Sequence, residues 1–300
     1  MHKTIITIFY LFITSLVIAQ NGTILTEKMQ SPILKREMGY SVYLPPSYQH
    51  SVRAYPVLYL LHGMTGDHTD WVGKGETAHI ATQAMMSGKA PEMIIVMPDG
   101  LYDAFYINNY DQSILWEDYF HKEFIPAIEK KYRIMAKKQT RAIAGLSMGG
   151  YGSTYHALKY ADKFASCYAM SAAYIEVEPL KTGESAPAGG FENVYVKLWG
   201  PRDPSGLHVN YKKHSIYEMV KAMDEYKPPM GWGGGPAFPK LMIDCGDDDF
   251  LLRPNTNLVH LLKEKKYPFE FRVREGGHTW QYWRECLELA LELVADGFRN

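Results

Sequence analysis

Ser147 stands in Gly145-Leu146-Ser147-Met148-Gly149, directly after the short run 141–144 and before the helix-compatible segment 151–160. Gly-x-Ser-x-Gly between a strand and a helix is the sequence form of a nucleophile elbow. The glycines suit a turn so tight that a Cβ would meet the backbone opposite. A serine hydroxyl attacks only when an imidazole takes its proton and a carboxylate orients that imidazole. On a strand–turn–helix elbow these partners follow in the order serine, acid, histidine. His278, in Glu275-Gly-Gly-His-Thr-Trp280, lies after the last predicted strand and opens the last predicted helix, where the base is expected. His156 falls on the helix after the elbow and reads as structural, while His50, His68, His121, His208, His214 and His260 have no positional case. The acid is expected in Gly246-Asp247-Asp248-Asp249-Phe250, just beyond another predicted strand. Three consecutive side chains cannot all reach one imidazole. Asp249 has the favoured offset from the strand end, with Asp248 and Asp247 as alternatives. A calcium loop would need alternating Asp-x-Asp-x-Asp-Gly spacing, which this run lacks. The oxyanion of an acyl-transfer intermediate needs backbone N–H donors. Met148 supplies one, and Met64 in His62-Gly63-Met64 is expected to supply the other, with an ordinary strand-ending turn as the competing reading.

These residues need elements to hold them. Strands are expected at 38–44, 55–61, 93–97, 141–144, 165–170, 240–245 and 269–273, and helices at 77–87, 116–132, 151–160, 254–266 and 279–298. The run Tyr55-Pro-Val-Leu-Tyr-Leu-Leu61 is apolar throughout, as a strand buried on both faces should be. Alternating strands and helices predict a mostly parallel sheet covered on both faces, with the reactive groups beyond the carboxyl ends of its strands. Residues 21–35 read as a polar lead. Residues 175–239, rich in Gly and Pro, read as an insertion before the acid strand, with a helix near 214–226, lying over the active-site face. The chain from 20 to 300 reads as one domain.

The 300 residues are 46% hydrophobic, enough for a sizeable core, and the formal net charge of −1 gives no electrostatic reason to expect nucleic acid. The start, His2-Lys3, then an apolar run from Ile5 to Ile18 ending at Ala19, has the form of a secretory signal peptide. The run is shorter than the roughly 20 residues of a membrane span. Export, cleavage near Ala19 and no membrane attachment afterwards are therefore expected. Cys167, Cys245 and Cys286 are too few for a disulfide scaffold and match no zinc spacing. Buried free thiols are expected, with a Cys167–Cys245 bridge between successive strands as the alternative.

Taken together, Leu60-Leu-His-Gly-Met-Thr-Gly-Asp67 with Trp71, Val96-Met-Pro-Asp-Gly100, Gly145-Leu-Ser-Met-Gly-Gly150, Cys245-Gly-Asp-Asp-Asp249 and Gly276-Gly-His278 resemble the esterase D / carbohydrate esterase family 1 group over residues 35–298. That group contains feruloyl esterases, acetylxylan esterases, S-formylglutathione hydrolases and mycolyltransferases. The resemblance implies an α/β-hydrolase fold, no cofactor or metal, and a Ser147–His278–Asp249 triad. With export, it implies a feruloyl-type carboxylesterase acting on acylated plant polysaccharide. An acetylxylan esterase, a cytosolic thioesterase of the S-formylglutathione hydrolase kind and a non-catalytic carbohydrate-binding member are the rival readings. Trp71, Tyr102, Phe105, Tyr106 and Trp280 are expected to hold an aryl acyl group, against the competing reading that each is packing.

Overall fold

The computed structural model describes residues 21–181, 184, 190–226 and 238–298. The expected leader at 1–19 and the run 231–236 lie outside the described residues. The strands are β1 (Thr23–Ser31), β2 (Arg36–Leu44), β3 (Val57–Leu61), β4 (Ile94–Pro98), β5 (Arg141–Leu146), β6 (Ser166–Met170), β7 (Lys240–Gly246) and β8 (Phe269–Arg274). The helices are α1 (Asp70–Gly73), α2 (Thr77–Met86), α3 (Trp116–Tyr119), α4 (Ile125–Lys131), α5 (Met148–Lys159), α6 (Phe191–Trp199), α7 (Tyr211–His214), α8 (Ile216–Ala222), α9 (Leu252–Glu264) and α10 (Trp280–Gly297).

The strands form a single sheet in the order β1-β2-β4-β3-β5-β6-β7-β8, antiparallel across β1–β2–β4 and parallel from β4 to β8. This is the α/β-hydrolase architecture. Successive side chains of a strand point to opposite faces, and here both faces are covered. Val57, Tyr59 and Leu61 of β3 join one buried apolar cluster with Ile143 and Ala169, while Leu58 and Leu60 join the other with Ala144 and Met170. Burial on both sides is why the central strands read as unbroken apolar runs.

Strand β1 departs from the expected polar lead. It pairs with β2 along its whole length, from Thr23 opposite Leu44 to Ser31 opposite Arg36. As an edge strand it exposes much of its length and carries Thr, Glu, Lys and Gln, so it has no apolar run to announce it. The region 175–239 contains α6, α7 and α8, and Leu198, Trp199, Tyr211, Ile216 and Val220 from it are buried in the first cluster.

The thiols are buried and free. Cys167 pairs in register with Leu241, and Cys245 lies farther along β7 opposite Val273. At about 3.3 Å per residue the two cysteines sit about 13 Å apart along the strands, beyond the ~7 Å Cα separation a disulfide can span. Register excludes the bridge.

The order of strands sets the site. The chain leaves β3 towards β4 on one side and leaves β5 towards β6 on the other. A crevice opens where neighbouring parallel strands send their connections in opposite directions. The end of β3 carries His62 to Met64, and the end of β5 carries Ser147.

Candidate active site

Ser147 is the residue between β5 and α5, with φ 54° and ψ −117°. A side-chain-bearing residue in such a conformation costs about 1–3 kcal/mol and persists only where its surroundings over-determine it. They do so here. Ser147 N–H donates to Met170 O at 2.9 Å, and Ser147 O accepts from Tyr151 N–H at 3.0 Å and Ala173 N–H at 2.9 Å. A Cβ on Gly145 would stand 2.4 Å from Gly149 O, and one on Gly149 would stand 2.5 Å from Leu61 O. Strand, turn and helix meet backbone to backbone, and the serine hydroxyl is left half-exposed at the tip.

The loops after β7 and β8 are pressed together equally closely. A Cβ on Gly246 would stand 2.0 Å from Gly276 O. Asp248 N–H donates to Gly276 O at 3.0 Å, and the Asp247 carboxylate accepts Gly276 N–H at 2.9 Å. Below them the buried Asp244 of β7 accepts Tyr168 Oη–H at 2.7 Å and also takes Tyr282 Oη–H and Arg274, tying β6, β8 and α10 to one carboxylate. The result brings His278 to Asp249: Nδ1 lies 2.9 Å from Oδ2 and 3.1 Å from Oδ1. On its other side His278 Nε2 lies 3.0 Å from Ser147 Oγ. Of the three aspartates, Asp249 alone has a buried side chain facing the imidazole. Asp247 braces the neighbouring loop and Asp248 is exposed. Burial pushes the Asp249 carboxyl up, but the hydrogen bonds from His278 and Leu251 N–H lead the opposing causes and it is held below the usual carboxylate range.

Met64 and Met148 both line the cavity into which Ser147 opens. Met148 is the first residue of α5, so its N–H has no intrahelical acceptor. The Met64 loop is tied to itself and to the loop after β4. His62 Nδ1–H donates to Gly63 O at 2.7 Å, and His62 Nε2 accepts Gly100 N–H at 2.7 Å. Burial lowers the His62 pKa, which keeps this neutral tautomer in place.

Trp71 and Tyr106 belong to this loop's support and not to the cavity wall, which corrects their expected role as substrate contacts. Both are fully buried. Trp71 Nε1–H donates to Leu61 O at 2.9 Å, and Tyr106 Oη–H donates to His62 O at 2.7 Å. An amphipathic ring with its polar end satisfied by backbone has no free surface for a ligand. Tyr106 is itself anchored: His156 Nε2–H donates to Tyr106 O at 2.8 Å, His121 Nε2–H to His156 Nδ1 at 3.0 Å, and Lys163 Nζ lies 3.3 Å from His121 Nδ1. Burial pushes both imidazoles down, His156 to about 4, so each stays neutral and keeps one tautomer. Tyr102 is exposed and lines a different surface hollow with Arg36 and Asp99. Phe105 and Trp280 do line the cavity with Ser147.

The cavity has a volume of about 590 Å³. Its walls include Phe105, Phe191, Tyr195, Phe250, Trp280 and Trp283. Phe191 and Tyr195 come from α6, so the inserted segment forms part of the outer wall. Phe250, 73% exposed at the rim, packs on His278 with ring centroids 4.7 Å apart, and Trp283 meets the same imidazole edge-on at 4.8 Å. Sequence reasoning missed Phe191, Tyr195, Phe250 and Trp283. Trp283 lies one turn into α10 after His278 and could have been sought there. Among the described residues no group of three or more His, Cys, Asp or Glu side chains is placed to hold a metal ion.

A family model described as "Putative esterase" matches residues 31–292. A solved ferulic acid esterase is 33% identical, with a TM-score of 0.77, over 93% of this chain and 100% of that one. An acetyl esterase of Caldicellulosiruptor saccharolyticus is 27% identical over 240 residues, 79% of this chain and 82% of the relative. An endo-1,4-beta-xylanase/feruloyl esterase of Xylanibacter ruminicola is 29% identical over 174 residues, which are 56% of this chain and 23% of that protein.

Proposed function

Since the chain belongs to the esterase family and is a serine hydrolase of carboxylic esters, we propose that it is exported and releases ferulic-type acids from plant cell-wall xylan through an acyl-enzyme on Ser147. The observation that carries the reading is the unbroken hydrogen-bonded chain Asp249–His278–Ser147 opening into an aromatic-walled cavity. Ser147 Oγ attacks the ester carbonyl while His278 Nε2 takes its proton, and the buried Asp249 carboxylate stabilises the imidazolium through Nδ1–H. The carbonyl electrons move onto oxygen, where the N–H groups of Met64 and Met148 receive the charge. Collapse expels the alcohol, which takes the proton from His278. Water then repeats the sequence on the acyl-enzyme and releases the acid.

Wall chemistry supports an aryl acyl group. Acetyl would leave most of a 590 Å³ apolar cavity unfilled, whereas a phenylpropenoyl group covers aromatic surface and is driven in by its burial. The printed names of the ferulic acid esterase and of the xylanase/feruloyl esterase relatives point the same way. The test compares turnover of methyl ferulate with that of acetylated xylo-oligosaccharide. Faster ferulate release is expected, and slow ferulate turnover beside fast deacetylation would overturn the feruloyl assignment. Ser147→Ala should lower kcat about a million-fold, by analogy with other serine triads. Retention of a tenth of the activity would remove Ser147 as nucleophile. Export rests on the 1–19 pattern and is checked by sequencing the N-terminus of protein recovered outside the cytoplasm, where an intact Met1 would contradict it.

A further inference from the structure

The alcohol half of the ester leaves by taking a proton from His278, so it must lie on that side of Ser147. From His278 the cavity wall continues through Trp283, whose ring centroid is 4.8 Å from the imidazole's, to Trp280, whose ring lies 5.3 Å from that of Trp283. The half-buried Trp280 ring is braced twice. Trp71 and Trp283 meet it at 87° and 89°, each with centroids 5.3 Å away. A ring wedged in this way cannot swing, and unlike Trp71 it keeps surface on the cavity. Beside it stand Asp70 and Lys74, one turn apart at α1. Lys74 Nζ lies 2.8 Å from Asp70 Oδ1 and 5.9 Å from the Trp280 ring centroid. Both residues line the cavity with Ser147. The corner is tied to α10, since Arg284 Nη1–H donates to Lys74 O at 3.1 Å. The ion pair does not exhaust its own groups. An ammonium carries more N–H groups, and a carboxylate more lone pairs, than one bond between them uses. Polar groups placed singly in an otherwise apolar cavity fix the orientation of what enters it.

We propose that Trp280, Asp70 and Lys74 form a subsite for a neutral sugar residue in the alcohol half of the ester. The C–H face of the sugar ring covers the indole, which takes apolar surface of both out of water. Of two adjacent sugar hydroxyls, one donates its proton to the Asp70 carboxylate and the other accepts an N–H from Lys74. Both bonds are charge-assisted and so stronger than bonds between neutral groups. The methanol half of a methyl ester has neither the ring face nor the paired hydroxyls. A uronic acid in the same place would set a second carboxylate beside Asp70, so the subsite selects against it. Trp280 thereby serves the leaving alcohol, and the acyl group is left to the other aromatic walls.

The inference rests on the proposed hydrolysis of sugar esters, and the experiment keeps the two apart by holding the acid constant. kcat/KM is measured for ferulate esterified to a xylo-oligosaccharide against methyl ferulate, and for acetylated xylo-oligosaccharide against methyl acetate. The wild type is expected to favour the sugar ester of each acid it releases. Lys74→Met keeps the aliphatic stem and removes the ammonium, and because Lys74 is exposed its loss should not prevent folding. The preference for the sugar ester should then fall roughly 10-fold, the lower end for a hydrogen bond to a charged group, and fall through KM. Asp70→Asn should do the same, and Lys74→Arg should keep most of the preference. An unaltered preference in Lys74→Met or Asp70→Asn would overturn the subsite, as would a wild type without preference or a loss carried by kcat alone. If ferulate esters turn over slowly beside acetates, the feruloyl assignment falls and the acetate pair decides the subsite. Calorimetry with unesterified xylo-oligosaccharide decides it without any hydrolysis. Binding to the wild type that weakens about 10-fold in Lys74→Met is expected, and no binding, or equal binding by both, would overturn the subsite.

Discussion

Asp249→Asn is a nearly isosteric change whose consequence can be worked out from hydrogen-bond directions. Oδ1 accepts Leu251 N–H at 2.8 Å, while Oδ2 faces His278 Nδ1 at 2.9 Å. In the asparagine variant the amide oxygen must stay where Leu251 N–H needs an acceptor, so the NH2 group takes the place of Oδ2. His278 Nδ1 must then accept and gives up its proton. The neutral imidazole carries its hydrogen on Nε2, which points at Ser147 Oγ 3.0 Å away. A protonated Nε2 cannot take the serine's proton. The wrong tautomer in a serine triad costs about 10⁴-fold in kcat, or roughly 5.4 kcal/mol at 1.36 kcal/mol per tenfold. KM should hardly change, since Asp249 does not line the cavity. The assay is release of ferulate from methyl ferulate at neutral pH, with Asp248→Asn as a control expected to keep wild-type rates because its side chain is exposed. An Asp249→Asn variant within tenfold of wild type would refute the tautomer argument. A large loss in Asp248→Asn would point to the wrong aspartate.

Two further outcomes follow from the same geometry. Tyr106→Phe removes the donor to His62 O and leaves a buried carbonyl short of a partner, so stability in urea should fall by about 1–3 kcal/mol; kcat should drop while KM for methyl ferulate stays level, and a rise in KM with unchanged kcat would restore Tyr106 as a substrate contact. Asp249 is held below its ordinary pKa in the folded chain, so its contribution to stability is fully present above the unfolded value of about 3.9 and disappears as pH falls through the lower folded value. The stability gap between wild type and Asp249→Asn should therefore shrink as pH falls below about 4; a gap that grows from about pH 4 downward would contradict this sign.

What could be read in the residues depended on whether the backbone or the side chain carried the information. The elbow was legible because two glycines and a serine at fixed spacing report a close approach of chains, and a Cβ added to Gly145 or Gly149 would indeed stand about 2.5 Å from backbone oxygen. The central strands were legible because burial on both faces demands unbroken apolar runs. Strand β1 was not, since an edge strand with polar alternation looks like a loop. Residue type could not say which way an aromatic ring faces, so Trp71 and Tyr106 read as ligand contacts although their polar ends are spent on Leu61 O and His62 O.

The division of labour around the cavity has a consequence for how such a chain diversifies. Met64, Ser147, Asp249 and His278, the groups proposed to act on the ester carbonyl, follow the ends of β3, β5, β7 and β8, strands of one continuous sheet. Phe191 and Tyr195 hang from α6, a separate segment docked through its own apolar side chains Leu198 and Trp199. On the proposed reading, substitutions at Phe191 and Tyr195 should change which acyl or alcohol group is admitted while the distances between Ser147, His278 and Asp249 are kept. The α6 share of the wall therefore lies on a stretch of the polypeptide separate from Ser147, Asp249 and His278, whereas Phe250 and Trp283 are packed on His278 itself.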